Sequence, residues 1–245
     1  MIMQLLKEIL FLDIETVPIQ PEFSALTQGL QKEWERKAKN LKVTDTEQAT
    51  PAALFGERAG IFSEFAKVVC IGFGSLHQHE GKWRLRLKAI TQTDEKKLLN
   101  EFCEVVTRFS QHYPELKFCG HNIKEFDIPF LCRRMLINGI GLPNCMQLSG
   151  KKPWEINHQD TLELWKFGDY KNFTSLSLLA EVLGIPSPKD DMDGSMVADT
   201  FWKDGDLPRI GKYCLQDVLT SARVYLRLKG INDIDPEPVF VTETI

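Results

Sequence analysis

Asp13 and Glu15 stand two residues apart in the apolar run ILFLDIET. A strand has a side-chain period of two, so both carboxylates leave the same face at adjacent positions. Like charges so placed repel and disfavour the strand, and a bound cation offsets that cost. Asp127 follows LKFCGHN and precedes Pro129. Proline is tolerated only in the first turn of a helix, so Asp127 stands at a helix mouth near a strand end. Asp217 lies within KYCLQDVLTSARVYL, with Tyr213 and Ser221 one turn away on the same helical face. Each acid alone has an ordinary account: a solvated strand end, an N-cap, a water-facing helix position. Four carboxylates converging on one place, however, stay ionised only if cations bind. Oxygen-only ligands select hard ions, Mg²⁺ or Mn²⁺ rather than zinc. Two such ions roughly 3.5–4 Å apart clamp the attacking and leaving oxygens of an in-line phosphoryl displacement.

The elements that must carry these residues follow from periodicity. ILFLDIET, residues 9–16, is the first strand, closed by Pro18 and Pro21. FAKVVCIGFGSL and KWRLRLKAIT form a hairpin with HQHEG as its turn. A helix runs from about Asp94 to Gln111, with Leu98, Leu99, Phe102, Val105, Val106 and Phe109 at helical spacing. LKFCGHN is a short strand, and a second helix covers Phe126 to Asn138, with Gly139 at its C-terminal cap. INHQDTLELW holds a fifth strand. TSLSLLAEVLGIP, SMVADTFWKDG and Leu207–Lys229 are helices. Between the first strand and the hairpin lies an insertion at about 22–60, expected as a solvated helix followed by a flexible loop over TDTEQATPAA, with a substrate clamp as the alternative. A hairpin meander followed by βαβ units gives an α/β fold: a mixed five-stranded sheet, antiparallel and parallel, flanked by helices. Residues 1–245 read as a single domain with a short irregular tail after about 230.

The chain has 245 residues and a formal charge of −4, which excludes a broad basic surface for gripping duplex DNA. No apolar run approaches a membrane span, and no signal peptide is read at the start, so a cytoplasmic protein is expected. The six cysteines are scattered without a CxxC pair; they read as reduced thiols, and their spacing excludes a thiolate metal site. Trp154 and Trp165 are expected in the core. Arg133-Arg134, Lys151-Lys152 and the insertion's cations are candidate contacts for a nucleic-acid backbone.

F-L-D-I-E-T, then G-H-N-I-K-E-F-D-I-P-F-L, then Y-C-L-Q-D-V resemble, in order, the three motifs of the DnaQ-like (DEDD) 3′–5′ exonuclease superfamily. The second is similar to that of the proofreading domain of family-B DNA polymerases. The segment DGSMVADTFWKDGDLPRIGKYCLQDVLTS resembles stand-alone bacterial exonucleases related to it. The resemblance spans residues 8 to about 228, without the insertion, and implies a ribonuclease H-like fold. Lys212 stands five before Asp217 and Tyr213 four before, so the chain looks like the DEDDy branch, which has Tyr in place of a general-base His.

The resemblance implies two divalent cations. Asp13 would bridge both, Glu15 and Asp217 would complete the nucleophile-side ion, and Asp127 would support the leaving-group ion. Tyr213 would orient the attacking water. Thr16, through its backbone, and Asn122 would touch the terminal nucleotide. The substrate implied is a single-stranded 3′ end, released as nucleoside 5′-monophosphates. The polymerase-like second motif favours DNA, with a proofreading or repair role. The alternatives are an exoribonuclease in RNA processing, since no motif tests for a 2′-hydroxyl, and a non-cleaving module that binds nucleic-acid ends. No nucleotide cofactor is implied, and nothing in the sequence points to a protein partner.

Overall fold

The central strand is the most apolar stretch. β1 (Ile9–Pro18) is buried along almost its whole length, as befits a strand with helices over both faces. A computed structural model of the chain describes residues 2–41, 50–169, 171, 173–186, 192–232 and 234–241. In it, β1 pairs antiparallel with β2 (Ala66–His79), and β2 with β3 (Lys82–Thr91). On its other side β1 runs parallel to β4 (Lys117–Gly120), and β4 parallel to β5 (Gln159–Asp160). β6 (Glu237–Phe240) lies parallel to β3, which gives the order β5-β4-β1-β2-β3-β6.

The sheet thus has six strands where five are expected. The extra strand comes from the tail expected to be irregular. Pro238 disguises it in the sequence, but an edge strand accepts proline because one side of it makes no ladder. The hairpin turn is also tighter than expected. Only Glu80 (φ 51°) and Gly81 (φ 77°) leave the strands, the left-handed pair that a two-residue turn requires, so His77–His79 remain paired.

Alternation along β1 divides the core. Leu10, Leu12 and Ile14 face α4 (Glu95–His112) and α5 (Asp127–Ile137). Ile9 and Phe11 face α9 (Leu207–Leu228), whose Val218, Ala222 and Tyr225 recur at helical spacing. The three helices begin or end where expected. Asp94 caps α4, Gly139 (φ 69°) follows α5, and Pro208 sits in the first turn of α9. The expected strand in INHQDTLELW shrinks to two residues, because the Asp160 carboxylate accepts the Leu162 N–H and starts α6 (Thr161–Lys166). α7 (Leu176–Val182) is capped by Ser175. The helix expected over SMVADTFWKDG is broken: a 3₁₀ turn leads into α8 (Val197–Asp199), then a π-helical turn over Thr200–Asp204. A short helix, α1 (Ile2–Lys7), precedes β1.

The insertion departs most from expectation. Thr27 caps α2 (Gln28–Ala38) and Thr50 caps α3 (Pro51–Arg58). Trp34 and Phe55 are fully buried against each other, and Trp34 Nε1 donates to the Pro51 carbonyl at 2.7 Å. The pair of helices has its own core and is not a solvated appendage. The Pro-Ala-Ala part of the expected loop is the first turn of α3, where proline and a threonine cap favour a helix; residues 44–49 of that loop lie outside the described residues.

Two other expectations fail on burial. Trp154 is 75% exposed, with Lys152 Nζ 5.2 Å from its ring, while Trp165 is half-buried beside Leu179 and Val224. Arg134 is buried and paired with Glu95, so it is not a surface contact; Arg133 is exposed. All six cysteines are free, Cys70, Cys119 and Cys214 being buried. Among the described residues no helix is long and apolar enough to cross a membrane. The architecture, a mixed sheet flanked by helices, is the ribonuclease H-like α/β fold.

Candidate active site

β4 stops at Gly120, and the parallel pairing of β1 with it ends at Phe11. Strand order also reverses here, since β2 and β3 follow on one side of β1 and β4 and β5 on the other. Crevices at the ends of such strands are where open α/β sheets bind ligands. Asp13 and Glu15 sit at this place. Just beyond them the β1–β2 register shifts: Glu15 faces Cys70 and Thr16 faces Val68, so Val69 is an extra residue, a bulge that sharpens the local twist. Asp127, at the mouth of α5, fills the notch left by β4, and its Oδ1 accepts the Ile14 N–H at 3.1 Å. It does not cap its own helix, as the sequence suggested; it is the first helical residue.

The electrostatics tie the four acids together. Burial pushes Asp13 well above the usual carboxylate range, and Glu15, Asp127 and Asp217 push it further. Burial does the same to Glu15, followed by Asp217 and Asp127, while a hydrogen bond with Asp13 opposes it. Asp127 is raised to about 7, chiefly by burial, against the hydrogen bonds from its own N–H and that of Ile14. Burial and then the Asp217 charge push the Tyr213 hydroxyl up, and that hydroxyl bonds to Asp217. Acids from β1, α5 and α9 therefore share one site, and their repulsion favours the protonated forms until a cation enters. A donor set of carboxylate oxygens fits Mg²⁺ or Mn²⁺.

A thiol joins them. Cys214 Sγ lies 3.3 Å from Asp13 Oδ2 and 3.4 Å from its carbonyl oxygen, and ligand-capable atoms of Asp13, Glu15 and Cys214 all lie within 4.8 Å of one another. The spacing of the cysteines gave no hint of this. Burial and the neighbouring Cys70 hold Cys214 well above the ordinary thiol range. Without a metal, the protonated thiol donates to Asp13.

Gly72 makes room for this thiol. It is the register partner of Asp13, and a Cβ there would meet Cys214 Sγ at 2.7 Å, Val218 Cγ2 at 3.1 Å and the Cys214 carbonyl at 3.3 Å. Gly72→Ala therefore pushes α9, which carries Tyr213 and Asp217, away from β1. We expect it to cost about 1–3 kcal/mol of stability, as overpacking does, and about 10²-fold in activity, as small misplacements do. Cys214→Ala in the same chain vacates the space and should restore much of the melting temperature. Failure of the second change to recover any stability would show that the contact is not the cause.

The two residues expected at the substrate behave differently. The Thr16 hydroxyl donates to the Gly60 carbonyl at 2.7 Å, which ties β1 to the insertion and uses the hydroxyl's one proton. Asn122 holds a left-handed conformation (φ 64°), with its N–H bonded to Asp160 Oδ1 at 2.9 Å. Asp160 was not foreseen as part of the site. It is buried, accepts the N–H groups of Asn122, Lys124 and Leu162, and so shapes the loop between β4 and α5. An Asp-Thr pair opening a helical pattern was the available signal. His121 serves the same loop: its ring nitrogens lie 2.9 Å from Thr161 Oγ1 and 2.8 Å from the Thr174 carbonyl.

One protein family matches the chain, described as "Predicted 3′-5′ exonuclease related to the exonuclease domain of PolB", over residues 61–237. Asp127, Tyr213 and Asp217 fall inside that stretch; Asp13 and Glu15 precede it. No curated protein matches the chain.

Proposed function

The chain belongs to the family of predicted 3′–5′ exonucleases related to the exonuclease domain of PolB, and from that premise we propose that it is a metal-dependent DEDDy-type exonuclease acting on single-stranded 3′ ends, DNA in preference to RNA. The observation that carries the metal dependence is the gathering of Asp13, Glu15, Asp127 and Asp217 in one crevice, where burial first and neighbouring acids second disfavour their charged forms. These four residues would hold two Mg²⁺ or Mn²⁺ ions, Asp13 serving both, Glu15 and Asp217 serving the activation of the attacking water and Asp127 the departure of the leaving oxygen. Such ions, when bound, make water acidic enough to attack near neutral pH and neutralise charge on the leaving oxygen.

The remaining work falls to the chain's own groups. Tyr213 keeps its proton, because burial and the nearby acids raise its pKa, so it acts as a hydrogen-bonding guide for water and not as a base. The Ile14 N–H and the Cys214 thiol hold Asp127 and Asp13 in fixed orientations, which spares reorganisation during the reaction. Asn122, held by Asp160, stands at the tip of the loop that leads to Asp127 and would bond near the terminal sugar. The preference for DNA rests on the polymerase-like spacing of Asn122 and Asp127. The free buried thiols suit a reducing, cytoplasmic setting, and a proofreading or repair role rests on the same polymerase-like motif as the preference for DNA.

The test uses 5′-labelled DNA and RNA oligonucleotides of one sequence. A stepwise ladder is expected with Mg²⁺ or Mn²⁺, faster on DNA, and lost on adding EDTA. Binding of the oligonucleotide without cleavage under every metal condition would instead identify an end-binding module.

A further inference from the structure

A cavity of about 300 Å³ adjoins the acids, and one of its walls comes from the insertion. Ile14, Glu15 and Thr16 line it from β1, Phe126 from the turn before α5, and Gly56, Gly60 and Ile61 from α3 and the turn after it. The wall is anchored, since Thr16 Oγ1 donates to the Gly60 carbonyl and the Trp34–Phe55 core braces α3 from behind. None of the described residues that line the cavity is basic. An anionic phosphate therefore has no partner there, whereas a neutral flat ring fits the apolar surfaces of Phe126 and of Ile61, which is 51% exposed. The volume lies at the lower end of small-molecule sites, room for one nucleoside and not for a base pair. The match to the exonuclease family begins at Ile61, just after α3.

We propose that α3 and the turn after it form the outer wall of the pocket for the 3′-terminal nucleoside and set which terminal bases the site accepts. The proposal rests on the exonuclease reading for the identity of the ligand. It gives the insertion a role that the conserved-type motifs of the chain leave open: the acids determine that a bond is cut, and α3 determines what may sit beside it.

Gly56 offers a clean probe. It lies within α3 and lines the cavity, and a Cβ built there meets nothing within 4 Å, so the backbone position accepts a side chain. Replacing a helical glycine with a good helix former also favours folding. Gly29 in α2 is equally open but does not line the cavity, and it serves as the control. Gly56→Leu is expected to raise KM for oligonucleotides about tenfold or more, more for a terminal dA than for a terminal dC, with kcat within about twofold and no loss of melting temperature; tenfold corresponds to about 1.4 kcal/mol of binding. Gly29→Leu should match the wild type. Deoxyadenosine 5′-monophosphate, titrated calorimetrically with Mg²⁺ present, should bind the wild type and bind Gly56→Leu at least about tenfold more weakly. Equal binding by the two proteins, or none by the wild type, would overturn the wall. A wild type that binds the nucleotide yet releases nothing from an oligonucleotide would leave the wall standing and sink the exonuclease reading instead.

Discussion

Asp13→Asn is expected to lower metal-dependent 3′-end hydrolysis by about 10³-fold or more, at or above what loss of one preorganised electrostatic group costs, while raising the melting temperature of the metal-free protein. Both effects have one cause. Asp13 is crowded by Glu15, Asp127 and Asp217, and in the absence of a cation their interaction is repulsive. Removing one charge relieves the folded state and removes a ligand. Each kcal/mol relieved is worth roughly 2–4 °C in a chain of this size. The pH dependence follows from the sign of the shifts. Asp13, Glu15 and Asp127 all have folded pKa values above their unfolded ones, Asp127 at about 7. The folded state then binds more protons, so the stability they contribute is complete below about pH 4 and is lost as pH rises through each folded value, about 7 for Asp127. The metal-free wild type should therefore lose the Asp127 contribution between about pH 5 and pH 8, and Mg²⁺ should restore stability most at the alkaline end. Differential scanning fluorimetry with EDTA or Mg²⁺ across that range reads both arms. An Asp13→Asn protein that melts lower than wild type in EDTA, or that keeps the wild-type rate, would break the link between crowding and catalysis.

Arg134→Ala is expected to cost about 3–5 kcal/mol, the range for breaking one half of a buried ion pair. Arg134 Nε and Nη2 meet Glu95 Oε1 and Oε2 at 2.8 and 2.5 Å, and Nη1 donates to the Ser63 carbonyl at 2.9 Å. Glu95 also accepts the Val68 N–H at 2.8 Å and Asn138 Nδ2 at 2.9 Å. One pair thus joins α4, α5 and β2, and α5 carries Asp127 at its other end. Loss of the guanidinium strands a buried carboxylate, and the melting temperature should fall by about 6–20 °C. Lysine should not rescue it, because an ammonium cannot make the two-pronged contact. The paired change Arg134→Met with Glu95→Met should cost less than Arg134→Ala alone, since it strands no charge. A single variant melting within about 2 °C of wild type would mean the pair is solvated in a way its burial denies.

Much of the scaffold could be read from local pattern. The parity of Asp13 and Glu15, the caps of α4 and α7, the glycine after α5 and the stripe of α9 depend on residues a few positions apart, where backbone sterics and periodicity act directly. Features that failed were non-local. β6 forms because β3 has a free edge to offer, and Trp34 is buried because α3 folds back on α2. Trp154, read as core from its type alone, stands at the surface because no element crosses it among the described residues.

The candidate site divides the same way. By itself the sequence determined which acids are candidate ligands and on which face of which element they stand, since these depend on residue type and short-range geometry. Only the tertiary structure decided that Gly72 clears a path for Cys214, that Asp160 shapes the loop of Asn122, and that α3 walls the cavity beside Glu15. Those relations join residues dozens of positions apart, and strand order and helix packing, not local propensity, choose which distant faces come to touch.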